Sequence, residues 1–449
     1  MRLKHALAAG AVSLGLLSSC LSVAQAAEHA ALGTNGVAQA AGEAVPAVPD
    51  GIPVPEELDE DSQELDEAIS QPVPEALEGE VPTAASEAPG EEAPGEDGLQ
   101  APDPLVGVPD AEAACRARMT VAQAQESDTP VACVAWASSA TASELRAAVT
   151  AWPTPAWCDD HGTNGKWYVN RFKACGIFPA DLTVINPRTG TVIGRMHYLV
   201  RAYAYSGRDV KTWAYQVEVM VVSASGAAVG ASANGGARCA GKCKVTKSTF
   251  PSQLVSQSKD AVGQFFMDTT IVTSPKGQKG EGQASAVWRF TKAGWAGPSN
   301  DIVLPTPPVR CDNALPGTSK PGCVMPYIPE LVYARNGEYP ELAQHIQDAQ
   351  TTDNLPGKHG TTRYLTRLTN KTKITENRNT SCPSSLPRPA GKQCDEYPFA
   401  STWQGAKTGG SYSRRMIDAR QNRSGGQALA LFYLYNRIIE KDRFLVWIK

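Results

Sequence analysis

The sequence predicts a multidomain protein: a disordered acidic N-terminal segment, a β-rich, sandwich-like middle domain, and a C-terminal α+β domain. Three observations predict it. The chain has 449 residues, more than one hydrophobic core usually organises. Its charge is polarised: Glu28 to Cys115 carries 22 Asp and Glu and no Lys or Arg, whereas Arg116 to Lys449 carries 40 Lys and Arg against 24 acids. The hydrophobic pattern also changes, from strand-like alternation in the middle to a helical repeat near the end.

Taken in order, Met1-Arg2-Leu3-Lys4 is basic, Ala6 to Leu17 is apolar, and small residues follow. This is the pattern of an export signal over residues 1–26, cut after Ala24-Gln25-Ala26. Leu17-Ser18-Ser19-Cys20 offers a competing cut that would place a lipid anchor on Cys20; plain secretion to the extracellular space is the reading adopted. Beyond the leader no apolar run reaches bilayer length, so no stable membrane-spanning segment is expected.

Residues 27–112 are rich in Ala, Pro, Glu and Gly, as in Pro53-Val54-Pro55-Glu56-Glu57. They hold too little apolar surface to offset backbone entropy, and like charges keep them extended. The plain reading is a solvated spacer or propeptide. The sharper one is an acidic strip that lies on the basic body and blocks its anionic ligand until removed.

Ten cysteines remain beyond Cys20. An even set in an exported chain, with no CxxC ladder, points to disulfides rather than to zinc. Proximity pairs Cys239 with Cys243, Cys311 with Cys323, and Cys382 with Cys394, although spacing alone does not determine connectivity.

Residues 113–310 read as the β-rich domain. Val192 to Tyr205, Trp213 to Val222, Gln264 to Val272 and Ser285 to Thr291 have strand patterning. Ser206-Gly207-Arg208-Asp209, Asn234-Gly235-Gly236 and Pro275-Lys276-Gly277 supply turn chemistry between them. Trp157, Trp167 and Tyr168 beside the cysteines read as core aromatics rather than ligand contacts. Pro305-Thr306-Pro307-Pro308 marks a boundary, and residues 311–355 read as a disulfide-containing connector with a short helix from Pro340 to Gln350. Residues 356–449 form the last domain. In its final helix Ala428, Leu431, Phe432, Tyr435 and Ile438 fall along one face, Gly425-Gly426 precede it, and a strand from Phe444 to Ile448 follows.

That domain is strongly basic, with 17 Lys and Arg against six acids from Gly357 to Lys449. Arg363, Arg367, Arg378, Arg388, Arg414, Arg415, Arg420 and Arg423 dominate the count, which suits bidentate contact with the phosphates of a polyanion. Two of the six acids are adjacent, Asp395 and Glu396. Carboxylates in a cationic cleft suit a hard divalent cation, which takes oxygen ligands, and a base that activates water. Adjacent strand residues point to opposite faces, so the two should not share one role. The plainer alternative is a surface turn with ordinary ion pairs. His345 and His359 lie near this block as candidate ligands or bases, and His161 in Cys158-Asp159-Asp160-His161 lacks a second cluster at ligand spacing. No GxSxG, HExxH or Walker-type loop appears.

The run Cys394-Asp395-Glu396-Tyr397-Pro398-Phe399-Ala400-Ser401-Thr402, followed by Gln421-Asn422-Arg423-Ser424-Gly425-Gly426-Gln427 and an aromatic helix, resembles the NucA/NucB family of extracellular bacterial deoxyribonucleases. Tyr364-Leu365-Thr366-Arg367-Leu368 and Asn377-Arg378-Asn379-Thr380-Ser381-Cys382-Pro383 extend the resemblance. It implies a compact nuclease related to the ββα-metal folds, in which an Asp replaces the usual His general base. Carried over, Asp395 would activate water, Glu396 would be a metal or supporting ligand, and Asn422 would offer a metal-proximal amide oxygen. Arg423, Arg378 and Arg367 would hold phosphate, with Gln427 a further substrate contact. The implied cofactor is Mg²⁺ or Mn²⁺, and the implied partner is DNA, gripped through its backbone without reading sequence. Two other readings compete: a cell-surface polymer-binding protein that retains nuclease ancestry, and a nuclease toxin delivered to competing cells.

Overall fold

Strand-like alternation in the middle of the chain folds as long antiparallel hairpins, and the computed structural model shows what they enclose. It describes residues 110–137 and 165–449, all within one compact unit. The export leader, Cys20, nearly all of the acidic segment, Trp157 and His161 lie outside the described residues.

The first described element is α1 (Ala111–Ala124), where the sequence suggested the end of the acidic segment and then strands. Alanine-rich sequence favours helix, and the Asp110 carboxylate caps it by accepting from the Glu112 and Ala113 amides at 2.9 and 3.0 Å. The strands follow in order: β1 (Val131–Trp136), β2 (Trp167–Val169), β3 (Lys173–Ile185), β4 (Val192–Tyr205), β5 (Thr212–Gly226), β6 (Ser232–Gly241), β7 (Cys243–Thr249), β8 (Gln253–Leu254), β9 (Ala261–Thr269), β10 (Lys279–Thr291), β11 (Ile302–Pro305), β12 (Val309–Asp312) and β13 (Gly322–Val324). One curled sheet runs β1-β3-β4-β5-β9-β7 with β2 on β3, and a second runs β13-β12-β10-β6-β8 with β11 on β10.

The middle region is therefore β-rich, as the alternation predicts. Its two sheets share one core, in which Phe178, Tyr198, Tyr215 and Phe265 of the first meet Trp288, Phe290 and Ile302 of the second. Trp167 is a core residue, its indole N–H donating to the Pro305 carbonyl at 3.0 Å. Among the described residues Cys115 pairs with Cys133, Cys239 with Cys243, Cys311 with Cys323, and Cys382 with Cys394. The last three are the pairs that proximity picked out.

Beyond β13 the chain continues through β14 (Glu330–Tyr333), α2 (Pro340–Thr351), β15 (Leu365–Thr366), α3 (Lys371–Ser381), β16 (Lys392–Tyr397), α4 (Ala406–Gly409), β17 (Ser413–Asp418), α5 (Ala419–Tyr435) and β18 (Arg443–Ile448). β18 lies between β14, to which it is parallel, and β15, to which it is antiparallel. β16 and β17 form an antiparallel pair, and β17 runs directly into α5.

The stretch read as a connector divides between two cores. β12 and β13 complete the six-stranded sheet, while Leu331, Tyr333, Leu342, Ala343, Ile346 and Ala349 pack with Tyr397, Phe399, Phe432, Phe444 and Val446. The short helix expected from Pro340 to Gln350 is present as α2; what it covers depends on the fold.

The last helix differs from expectation in two ways. Gly425 and Gly426 lie inside α5 rather than ahead of it, and the buried face carries Leu429, Ala430, Phe432 and Tyr433. Ala428, Leu431 and Tyr435 are half-buried, and Ile438 is buried beyond the helix end. Close packing explains the glycine: a Cβ at Gly425 would sit 2.1 Å from the Leu342 side chain of α2. Its carbonyl also accepts from the Tyr333 hydroxyl at 2.7 Å.

Buried charge joins the β-rich region to this C-terminal core. The fully buried Arg437 donates Nε to Asp312 at 3.1 Å, and its Nη groups donate to the Arg208, Asp312 and Lys320 carbonyls. Arg171 donates to the Asn436, Tyr327 and Arg437 carbonyls and pairs with Asp442 at 3.0 Å. Arg310 bridges Asp312 and Asp442. Burial, with Arg310 close by, pulls the Arg171 guanidinium down to about 10 against the opposing pull of Asp442. Arg437 has a φ of 46°, a conformation costing a non-glycine residue about 1–2 kcal/mol, and its four side-chain hydrogen bonds hold it there.

Two outcomes follow. Arg437→Met leaves the buried Asp312 with Arg310 as its one remaining guanidinium partner and strips three carbonyls of their donor, and should cost about 3–5 kcal/mol in chemical denaturation; a loss below about 1 kcal/mol contradicts the network's role. The fragment Gly357–Lys449 lacks β14 and α2, hence much of its core, and should give no cooperative melt by circular dichroism.

Candidate active site

β16 carries the acidic pair, and its register is set on one side by β17, where Asp395 faces Arg415 and Glu396 faces Arg414. At Cys394 a disulfide ties the strand to Cys382, the residue that ends α3. Tyr397, fully buried, accepts from the Gln350 amide at 2.9 Å and donates to the Pro356 carbonyl at 2.8 Å. Burial drives its phenol pKa well above the ordinary value.

On this strand Asp395 is 6% exposed. A carboxylate so placed needs a donor, and it comes from α2: His345 Nδ1 lies 2.5 Å from Asp395 Oδ2. His345 is itself fully buried, with Nε2 3.3 Å from Ser413 Oγ on β17. An ionised carboxylate only accepts, so the shared proton belongs to Nδ1. Glu396 is half-buried and lies toward the Cys382 side of the strand. The expected divergence of the two acids thus appears as two environments, although both border the same cleft.

α5 supplies the opposite wall. Asp418 caps the helix by accepting from the Arg420 and Gln421 amides at 3.1 Å. The first turns present Asn422, Arg423, Gly426 and Gln427 to the cleft, with Arg378 of α3 and the acids of β16 across from them. Asn422 Nδ2 donates to Gln393 Oε1 at 3.2 Å, which fixes the amide and leaves its oxygen as the remaining polar atom. A Cβ at Gly426 would meet nothing within 4 Å. Tyr333 and Leu342 also line the cleft.

Six of the seven residues singled out from the sequence, Asp395, Glu396, Asn422, Arg378, Arg423 and Gln427, therefore meet at one place. Arg367 does not line the cleft. It is 5% exposed, with its guanidinium 3.6 Å over the Tyr433 ring, and its Nε and Nη1 have no hydrogen-bond partner among the described residues. Its cation–π contact is with a core aromatic rather than with the cleft. Several other arginines serve the fold: Arg363 binds Asn354, Arg414 the Ser381 carbonyl, Arg415 Asp348, and Arg388 a series of carbonyls. His359 is outside the cleft, stacked 4.1 Å from Trp447 and bonded to Glu330.

Tyr333 borders the cleft without having been assigned a role from sequence, and His345, there a candidate ligand or base, lies buried against Asp395. For His345 a signal existed: Leu342, His345, Ile346 and Ala349 share the i, i+3, i+4, i+7 face of α2. A histidine on an apolar face has to find a polar partner. For Tyr333 there was none, because only the parallel pairing of β14 with β18 brings it near.

α2 is pinned to the hairpin at both ends. The Glu341 carboxylate accepts from Lys392 Nζ and the Asp418 amide at 2.8 Å each, and Asp348 accepts from Arg415 at 2.9 Å. These bonds, from Lys392 first and from Arg415 first, hold both carboxyls below their ordinary values.

The C-terminal region, residues 354–447, matches the family model Deoxyribonuclease NucA/NucB, which supports deoxyribonuclease activity in this domain and DNA as its substrate. The chain matches no curated protein and no solved structure. Among the described residues no helix is long and apolar enough to cross a membrane.

Because the Glu341 pKa is lowered in the folded state, its contribution to stability is present above the ordinary Glu value of 4.5 and fades as pH falls through the lower, folded value. Glu341→Gln should melt below wild type near neutrality, with the gap closing under acid. A gap independent of pH would show that the Lys392 and Asp418 contacts do not act through charge.

Proposed function

We propose that the chain is an exported, metal-dependent endonuclease that hydrolyses the phosphodiester bonds of DNA without sequence preference. One observation carries the reading: two carboxylates, an oriented amide oxygen and two arginines meet around one cleft inside the region that matches the nuclease family. The run of β16, β17 and α5 supports the kinship with ββα-metal nucleases that the sequence resemblance implied. The leader and the disulfides of the body support export to an oxidising compartment.

The donor set suits a hard cation. Glu396 offers a carboxylate and Asn422 an amide oxygen, and among the described residues no group of three or more His, Cys, Asp or Glu is arranged around a metal position. Mg²⁺ and Mn²⁺ accept such sparse oxygen ligation because water completes the shell. When bound by Glu396 and Asn422, the cation supplies charge neutralisation at the scissile phosphate and the leaving oxygen.

The chain's own residues do the rest. Arg378 and Arg423 hold phosphate oxygens from the two walls, which positions the backbone and leaves the bases unread. Among the described residues nothing donates to Asp395 Oδ1, so this oxygen is available to take a proton from water. The water oxygen bonds to phosphorus, the bond from phosphorus to the leaving sugar oxygen breaks, and that oxygen takes a proton from solvent. Gln427 extends the polar wall along the bound strand.

A plasmid-nicking assay on the full chain tests this. Nicking should appear with Mg²⁺ or Mn²⁺, vanish with EDTA, and fall by at least about 100-fold in Asp395→Ala, a general base being worth about 10²–10⁴. A folded chain that leaves DNA intact with either metal, or a variant as active as wild type, would sink the proposal.

A further inference from the structure

A terminal carboxylate rotates in a broad, nearly two-fold torsional well, so a base on Asp395 has no fixed aim of its own. The structure shows what would aim it. His345 Nδ1 donates to Oδ2 at 2.5 Å, and the imidazole is held in turn by Ser413 Oγ, 3.3 Å from Nε2. The helix that carries His345 is fastened to the same hairpin four residues before it, at Glu341, and three residues after it, at Asp348. Both fastenings land on β16 and β17, the strands that hold Asp395 and Ser413. The imidazole is 0% exposed and so cannot itself meet DNA.

We infer that His345 is the positioning residue for Asp395: one oxygen of the carboxylate is occupied by Nδ1–H, and the other is turned to the cleft, where it meets the attacking water. The inference rests on the nuclease reading above and adds to it a residue from α2, upstream of the region that matches the family. It separates His345 from both roles its sequence neighbourhood suggested, metal ligand and base.

Two amide substitutions read this out, because an Asn side chain places its N–H near the position of Nδ1 whereas Gln places it near Nε2. In the full chain with Mn²⁺, His345→Asn should keep kcat on plasmid DNA within a few-fold of wild type. His345→Gln should lose about 10–100-fold in kcat, the scale of a lost partner behind a reacting group, with KM nearly unchanged because Arg378 and Arg423 are untouched. Thermal melts establish that both are folded. Equal kcat for two folded variants would overturn the inference, as would a fall confined to KM. Should neither variant fold, imidazole ¹⁵N shifts in the unsubstituted chain decide: a proton on Nδ1 supports the inference, and a bare Nδ1 overturns it. Failure of the nuclease reading would look different, since the wild-type chain itself would then leave DNA uncut.

Discussion

A nearly buried carboxylate has to be partnered, and the bond from His345 to Asp395 meets that need from fifty residues upstream. A hydrogen bond to an ionised group contributes about 1.5–3 kcal/mol, and leaving such a group buried and bare costs more. The bond constrains much of the C-terminal core. α2 must lie across β16 and β17 for the imidazole to reach, so its apolar face meets α5, and α5 can approach only because residue 425 has no side chain to strike Leu342. The cleft is the space that remains between α5 and the strand it faces. Its acidic and basic walls are thus set by the same packing that protects the base.

The C-terminal core is in turn mounted on the β-rich region by charge rather than by apolar surface. Arg171, Arg310 and Arg437 meet Asp312 and Asp442 at the joint, and most of the remaining N–H groups end on carbonyls. Replacing such a cluster by apolar residues would not necessarily weaken a protein, whereas removing one member leaves an uncompensated buried charge. Gly322 shows how closely the parts approach, since a Cβ there would lie 2.7 Å from the Arg437 guanidinium. The joint lies in the loop that leads from α5, a wall of the cleft, into β18 and that Arg437 anchors.

How legible all this was depended on the range of the interactions. The strands of the middle region were readable because alternation is a local property. The cysteine pairs 239–243, 311–323 and 382–394 were readable because short loops bring their ends together at little entropic cost. Cys115–Cys133 was missed, since the helix between the acidic segment and β1 was not foreseen. The position of Arg367, stacked on a core tyrosine away from the cleft, was not readable, because residue type alone does not tell a phosphate-binding arginine from a stacked one. The glycine pair was taken for a helix boundary because glycine weakens an isolated helix, a preference that helix-to-helix contact overrode here.

By itself, then, the sequence determined the acidic-to-basic division, the β-rich middle, and the set of polar residues of the C-terminal block that border the cleft. The first two are matters of composition and period, and the last follows from the resemblance to a known nuclease family. Only the tertiary structure decided that the presumed connector divides between two cores, that Arg367 is withdrawn from the cleft, and that a histidine on an apolar helix face stands behind the acid. Each of these turns on contacts between residues far apart in the chain, where packing, not local preference, selects the partner.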